Sequence, residues 1–221
     1  MRDGIIDMCI HLAMCDGFKE EHDVYHYVDL FGCDLRIYYH KNERIKPPLE
    51  ELRVWFGGME VCRYSGSTNA IPEKCIDGIW MDLVIASYYY YTRNPSDDFL
   101  GENNTLIEMC RAEARKNRET IKKVTDCCLS ILHNKDCERK EYKDSLLYSY
   151  DTSVKDTTLL IESEQHYGEY DALSVCFNKK CVFSYRYNSL DSNIYYQDKC
   201  SLFVLGRWIQ DLQRIAEKTS H

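Results

Sequence analysis

From Ile107 onward, apolar or small residues recur at Cys110, Ala114, Ile121, Val124, Cys128 and Ile131, with Asn117 as the one polar step. The spacing alternates three and four residues, so these side chains form a buried seam along one side of a helix. One uninterrupted amphipathic helix is predicted over 105–134, about 45 Å long at ~1.5 Å per residue. Thr105 follows Asn103 and Asn104, Glu108 lies three residues further on as in a capping box, and His133, Asn134 and Lys135 suit a C-terminal end. Asn117 is expected as a tolerated polar position at an exposed end of the contact rather than one that sets register. A helix this long exceeds the reach of a small core, so part of it should wrap a second layer or project toward a partner.

The same patterning predicts a short N-terminal helix over 4–15, on Ile5, Met8, Cys9, Leu12 and Met14. Strands follow at 24–30 and 34–40, turning around Gly32. A hairpin runs through Leu52, Val54 and Phe56, turns at Gly57 and Gly58, and returns through Val61 and Tyr64. Two glycines between alternating runs suit a turn that needs positive φ at both central positions. Asp77 can cap a helix from Gly78 through Trp80, Leu83, Val84 and Ser87 into the four tyrosines 88 to 91. Residues 138–147 read as a short helical piece. Strands are expected at 159–163, 172–177, 180–187 and 193–196, and a closing amphipathic helix at 202–218 carries Trp208.

Residues 52–64 align with 173–185 without a gap, matching Leu52, Val54, Phe56 and Tyr64 to Leu173, Val175, Phe177 and Tyr185. Asn178 stands where Gly57 does and tolerates positive φ. Each hairpin is followed by Gly-x-Trp, at Gly78 and Gly206, opening a predicted helix. The expected fold is therefore α+β, with antiparallel hairpins in one or two sheets packed on helices. A long central helix would link two similar hairpin-plus-helix halves. We expect a single compact domain over 1–221, with possible halves 1–100 and 140–221 joined by helix 105–134.

Composition changes this picture in two ways. The formal net charge of −8 disfavours a whole-surface nucleic-acid binder and suits a soluble protein or one with a basic partner. Twelve cysteines, scattered without the framework of a short secreted domain, read as reduced thiols, most of them small core hydrophobes. Cys127 and Cys128, adjacent on a helix, are not expected to face one core together. No run of apolar residues is long enough for a membrane span, and Asp3, Asp7 and His11 break any signal-peptide core, so a cytoplasmic protein without membrane contact is expected.

Candidate chemistry is sparse. Cys9, Cys15, His22 and His26 are the one metal-ligand candidate: His22 and His26 lie four apart, and the two thiols could complete a tetrahedral zinc set, although no CxxC pair occurs. Glu141, Tyr142 and Lys143 after Asp136 mimic a nuclease carboxylate–lysine set but fall on the segment predicted helical. His166, Glu169 and Asp171 cluster beside Gly168 on an expected loop. Phosphate-binding glycine loops, nucleophile elbows and HExxH are missing. Arg111, Arg115, Arg118 and Lys122 give the predicted central helix a local positive excess and are the partner-binding candidates.

The reading that ranks first is a non-catalytic intracellular module that binds a protein and regulates or inhibits it. A basic nucleic-acid-handling enzyme is the specific partner considered, making the chain an inhibitor of the immunity or anti-defence type. A metal- or thiol-dependent enzyme using the N-terminal Cys/His cluster ranks second, and an RNA or nucleotide binder through the basic helix third. Catalytic and cofactor residues are assigned to none, with zinc the one candidate cofactor.

Overall fold

The computed structural model describes residues 2–15, 19–21, 24–27, 30–42, 44, 46, 49–66, 74–92, 99–133, 138–141, 146–154, 157–166, 169–186, 210–211 and 214. The fold is α+β, with helices and two antiparallel sheets. The chain divides into two compact units, Met1–Arg118 and Glu119–His221.

The first unit opens with helix α1 (Arg2–Ala13) and continues into a meander: β1 (Lys19–Glu21), β2 (Val24–Tyr27), β3 (Leu35–Asn42), β4 (Leu49–Phe56), β5 (Met59–Gly66) and the short β6 (Lys74–Cys75). These six strands pair in chain order. Strand periodicity sorts their faces: Leu35, Ile37 and Tyr39 of β3 lie opposite Phe56, Val54 and Leu52 of β4, and all six are buried. Helices α2 (Ile79–Thr92), α3 (Phe99–Glu102) and α4 (Asn104–Leu132) follow. Helix α1 packs against α2 and β3. Trp80 near the start of α2 is buried and donates Nε1–H to the Ile76 carbonyl at 2.8 Å, so the indole fills the core without stranding its polar atom.

Helix α4 runs across the boundary between the units. Ile107, Cys110, Ala114, Asn117, Ile121, Val124, Cys128 and Ile131 are all buried. Two expectations about this helix are corrected. Asn117 is 3% exposed and donates Nδ2–H to the Phe56 carbonyl at 3.2 Å, so it is a specific tie within the first unit. Cys127 is buried together with Cys128. Neighbouring helical side chains diverge by about 100°, and Thr125 and Leu132, buried as well, show that the covered arc has widened enough in the last turns to take both.

The second unit holds β7 (Glu138–Glu141), β8 (Leu146–Val154), β9 (Thr157–His166), β10 (Glu169–Phe177) and β11 (Lys180–Arg186), paired in the order β11-β10-β9-β8-β7. The helix expected over 138–147 is thus replaced by two paired strands. All four β7 side chains are exposed, and Arg139 lies over the ring of its partner Tyr148 at 5.6 Å. An edge strand of charged residues carries no apolar alternation, and its stability comes from the ladder. His166 and Glu169, expected on a loop, are paired strand residues at the facing ends of β9 and β10, and Asp171 is the extra residue of a bulge.

The hairpins 52–64 and 173–185 agree in detail. Both turns hold two residues at positive φ, Gly57 and Gly58 in one (57° and 80°) and Asn178 and Lys179 in the other (47° and 65°). Both carry a bulge at the same step, leaving Val61 or Val182 without a partner across the ladder. Leu173, Val175 and Phe183 are buried, as are Leu52, Val54 and Cys62 at the matching places. The agreement extends outward. Ile37 and Tyr39 face Val54 and Leu52 where Ile161 and Ser163 face Val175 and Leu173, and Tyr27 and Tyr25 stand in β2 where Tyr150 and Tyr148 stand in β8. The expected strand at 193–196, Trp208 and most of the expected closing helix lie outside the described residues. No helix among the described residues is long and apolar enough to cross a membrane.

Candidate interaction surface

Helix α2 is helical because Trp80, Leu83, Val84 and Ser87 repeat at helical spacing and are buried. The helix continues through the four tyrosines, and Thr92 closes it by donating its hydroxyl to the Tyr88 carbonyl at 2.7 Å. Beyond Ser87 the apolar stripe gives way to a surface of rings. Tyr89 is 43% and Tyr91 38% exposed, while Tyr88 and Tyr90 are half-buried. The rings meet edge to face: His11 of α1 against Tyr88 at 5.1 Å, Tyr88 against Tyr89 at 5.8 Å, Tyr90 against Tyr91 at 5.2 Å and Phe31 against Tyr90 at 6.1 Å. Each arrangement is one that aromatic quadrupoles favour.

Phe31 reaches Tyr90 from a segment under backbone strain. It sits in a single 3-10 turn (Leu30–Gly32) at φ 52° and ψ 32°, and Gly32 and Asp34 also have positive φ, 71° and 53°. A left-handed conformation costs a residue with a Cβ about 1 to 2 kcal/mol, so it persists only where surrounding contacts impose it. Those contacts come from α4. Arg111 donates Nη2–H to the Phe31 carbonyl at 3.0 Å and Nε–H to the Gly32 carbonyl at 3.4 Å. A Cβ on Gly32 would come within 3.0 Å of Arg111 Nη2, and the missing side chain is what admits the guanidinium. Arg118 donates Nε–H to Asp34 Oδ2 at 2.6 Å, the Asp34 carbonyl accepts Gly57 N–H at 3.0 Å, and the Cys33 thiol reaches the Ile107 carbonyl at 3.7 Å.

Two of the four cationic candidates therefore act inside the first unit, Arg111 on the strained backbone and Arg118 on Asp34. Arg111 also pairs with Glu108 at 2.7 Å, and Lys122 pairs with Asp126 at 2.5 Å, so three of the four have an anionic neighbour. Arg115 is exposed. Spaced four, three and four along α4, the four share one side of the helix, and two of them, Arg111 and Arg118, are engaged with the 31–34 segment.

The metal candidates are placed only in part. Cys9 is buried in α1, and burial, with Cys75 nearby, pushes its thiol well above the ordinary range. Cys15 is half-buried just after α1, His26 lies in β2 opposite Tyr38 of β3, and His22 falls outside the described residues. Among the described residues no three His, Cys, Asp or Glu side chains are grouped to hold a metal ion. Glu141 ends β7 and is exposed, while Asp136, Tyr142 and Lys143 fall outside the described residues. Sequence reasoning missed the Phe31 surface, whose only local signal is Gly32 itself. Comparison with family models, with curated proteins and with solved structures found no match.

Proposed function

We propose that this chain is a non-catalytic protein-binding module that regulates or inhibits its partner, and that the partner docks on the aromatic surface of Phe31 and Tyr88 to Tyr91. The observation that carries this reading is the strained 31–34 segment, fixed from α4 by Arg111 and Arg118 so that Phe31 meets Tyr90. Backbone strain held in place by distant residues is characteristic of binding sites. Pre-set, partly exposed tyrosines offer large contact area at low entropic cost and are common energetic anchors of protein interfaces. The net charge of −8 favours a basic partner face, as a nucleic-acid-handling enzyme presents, and an inhibitor of the immunity or anti-defence type is the specific version we adopt.

Two competing readings weigh less. A thiol-dependent enzyme needs a lowered thiol pKa, whereas Cys9, Cys62, Cys110, Cys128 and Cys176 are all held above the ordinary range. An RNA binder through α4 needs free cations, and Arg111, Arg118 and Lys122 already have acidic neighbours. The same reading takes the two meanders as one hairpin-plus-helix unit used twice, with α4 as the long central helix between them in sequence; their matched turns, bulges and tyrosines support it. The test is affinity capture from native lysate with the wild-type chain and a Tyr89→Ala, Tyr91→Ala double variant. A protein retained by the wild type and lost at least about tenfold by the variant supports the proposal, and equal retention refutes it.

A further inference from the structure

Strands β10 and β11 place Cys176 and Cys181 directly opposite each other, one step from the Asn178-Lys179 turn. In a two-residue hairpin the pair that closes the turn, here Phe177 and Lys180, exchanges hydrogen bonds. The next pair outward is then non-hydrogen-bonded, the position where cross-strand Cα atoms approach to about 4.5 Å and side chains lie closest. That separation is inside the window of about 4.4 to 6.8 Å that a disulfide spans. Both residues are half-buried, so a small reagent can reach them. The thiols also sense one another. Burial and then Cys181 hold the Cys176 thiol up to about 11, and the Cys181 thiol donates weakly to the Phe183 carbonyl at 3.4 Å.

We propose that Cys176 and Cys181 form a modification site: a cross-strand dithiol that closes to a disulfide by exchange with a small disulfide of the glutathione class. One thiol loses its proton to solvent and attacks a sulfur of glutathione disulfide, forming a mixed disulfide and expelling one glutathione thiolate. The second thiol, likewise deprotonated, attacks the protein sulfur of the mixed disulfide and expels the other. The protein dithiol is oxidised by two electrons and glutathione disulfide is reduced to two glutathiones. Closure covalently fixes the tip of the β10–β11 hairpin.

The chain carries its own control. Cys62 and Cys75 are also opposite in register, in β5 and β6, and Ile76 N–H to the Val61 carbonyl at 2.8 Å makes the adjacent pair the hydrogen-bonded one. Their geometry allows the same link, but Cys62 is fully buried, so it should react more slowly.

The experiment treats the folded full-length chain with glutathione disulfide in mildly alkaline buffer, blocks remaining thiols and maps the peptides by mass spectrometry. The expected result is a Cys176–Cys181 link that forms ahead of any Cys62–Cys75 link, with the intact chain lighter by two hydrogens and no glutathione retained at either site. A Cys181→Ser chain should instead keep one glutathione on Cys176. The proposal is overturned if wild-type protein holds stable glutathione at these positions without closing. It is equally overturned if Cys15 is modified while both remain free, or if the link appears only in denaturant.

Discussion

Asn117 donates its side-chain amide to the carbonyl of Phe56, 61 residues earlier, from inside the buried seam of α4. The carbonyl belongs to the last residue before the Gly57-Gly58 turn, so one hydrogen bond ties the tip of the first hairpin to the helix. Asn117→Leu keeps the number and branching of side-chain heavy atoms and removes the donor, leaving the helix seam more apolar and the Phe56 carbonyl without this partner. We expect a loss of about 1 to 3 kcal/mol, the cost of a stranded buried polar group, read as a lower urea midpoint with an unchanged slope. A variant as stable as the wild type would show that the seam needs no polar step.

Gly57 and Asn178 occupy the same turn position for different reasons, and substitution should separate them. A Cβ on Gly57 would lie 2.4 Å from the Ala114 carbonyl oxygen and 2.6 Å from its Cα, with φ at +57°. Gly57→Ala therefore meets both helix backbone and left-handed strain, and we expect it to cost about 2 to 4 kcal/mol. Asn178 is exposed, so Asn178→Gly should be neutral or slightly stabilising. Thermal unfolding of the two variants decides it; similar small effects would mean that α4 yields to the turn.

How much of this was legible in the sequence differs by element. The α4 seam was readable because its buried positions keep a strict three-four spacing, and the hairpins because Gly57-Gly58 and Asn178-Lys179 interrupt alternating runs. Strand β7 was not, since Glu138, Arg139, Lys140 and Glu141 are all exposed and share one polar character, which fits a helix face equally well. The Phe31 surface was least legible. Its conformation is imposed by Arg111 and Arg118, about 80 positions away, and residues that carry a Cβ give no local sign of positive φ.

Buried thiols should make the fold sensitive to alkali. Burial raises Cys9 and Cys128; a hydrogen bond with Cys75 and then burial raise Cys62, and a bond with Cys33 and then burial raise Cys110. In the unfolded chain these thiols ionise near ~8.5, so above that pH the unfolded state binds fewer protons than the folded one. Their contribution is complete below the ordinary thiol pKa and is lost as pH rises toward the raised values. Cys9 and Cys128 should each cost about 1.4 kcal/mol per pH unit above ~8.5. Melting temperatures should hold level from about pH 7 to 8.5 and then fall, more shallowly for Cys128→Ala. A level profile to about pH 10, or native buried thiols titrating near ~8.5, would contradict the assignment.

On the proposed reading a protein partner sits on the aromatic surface and not on the cationic face of α4. Its most direct measurement places a photo-crosslinking side chain at Tyr89 in one chain and at Lys122 in another, followed by irradiation in native lysate. One dominant protein adduct is expected from position 89 that is absent from position 122 and is retained when Arg115 and Lys122 are reversed to glutamate in the position-89 chain. Adducts to nucleic acid from position 122 that reversal of Arg115 to glutamate abolishes, with no protein adduct from position 89, would contradict it.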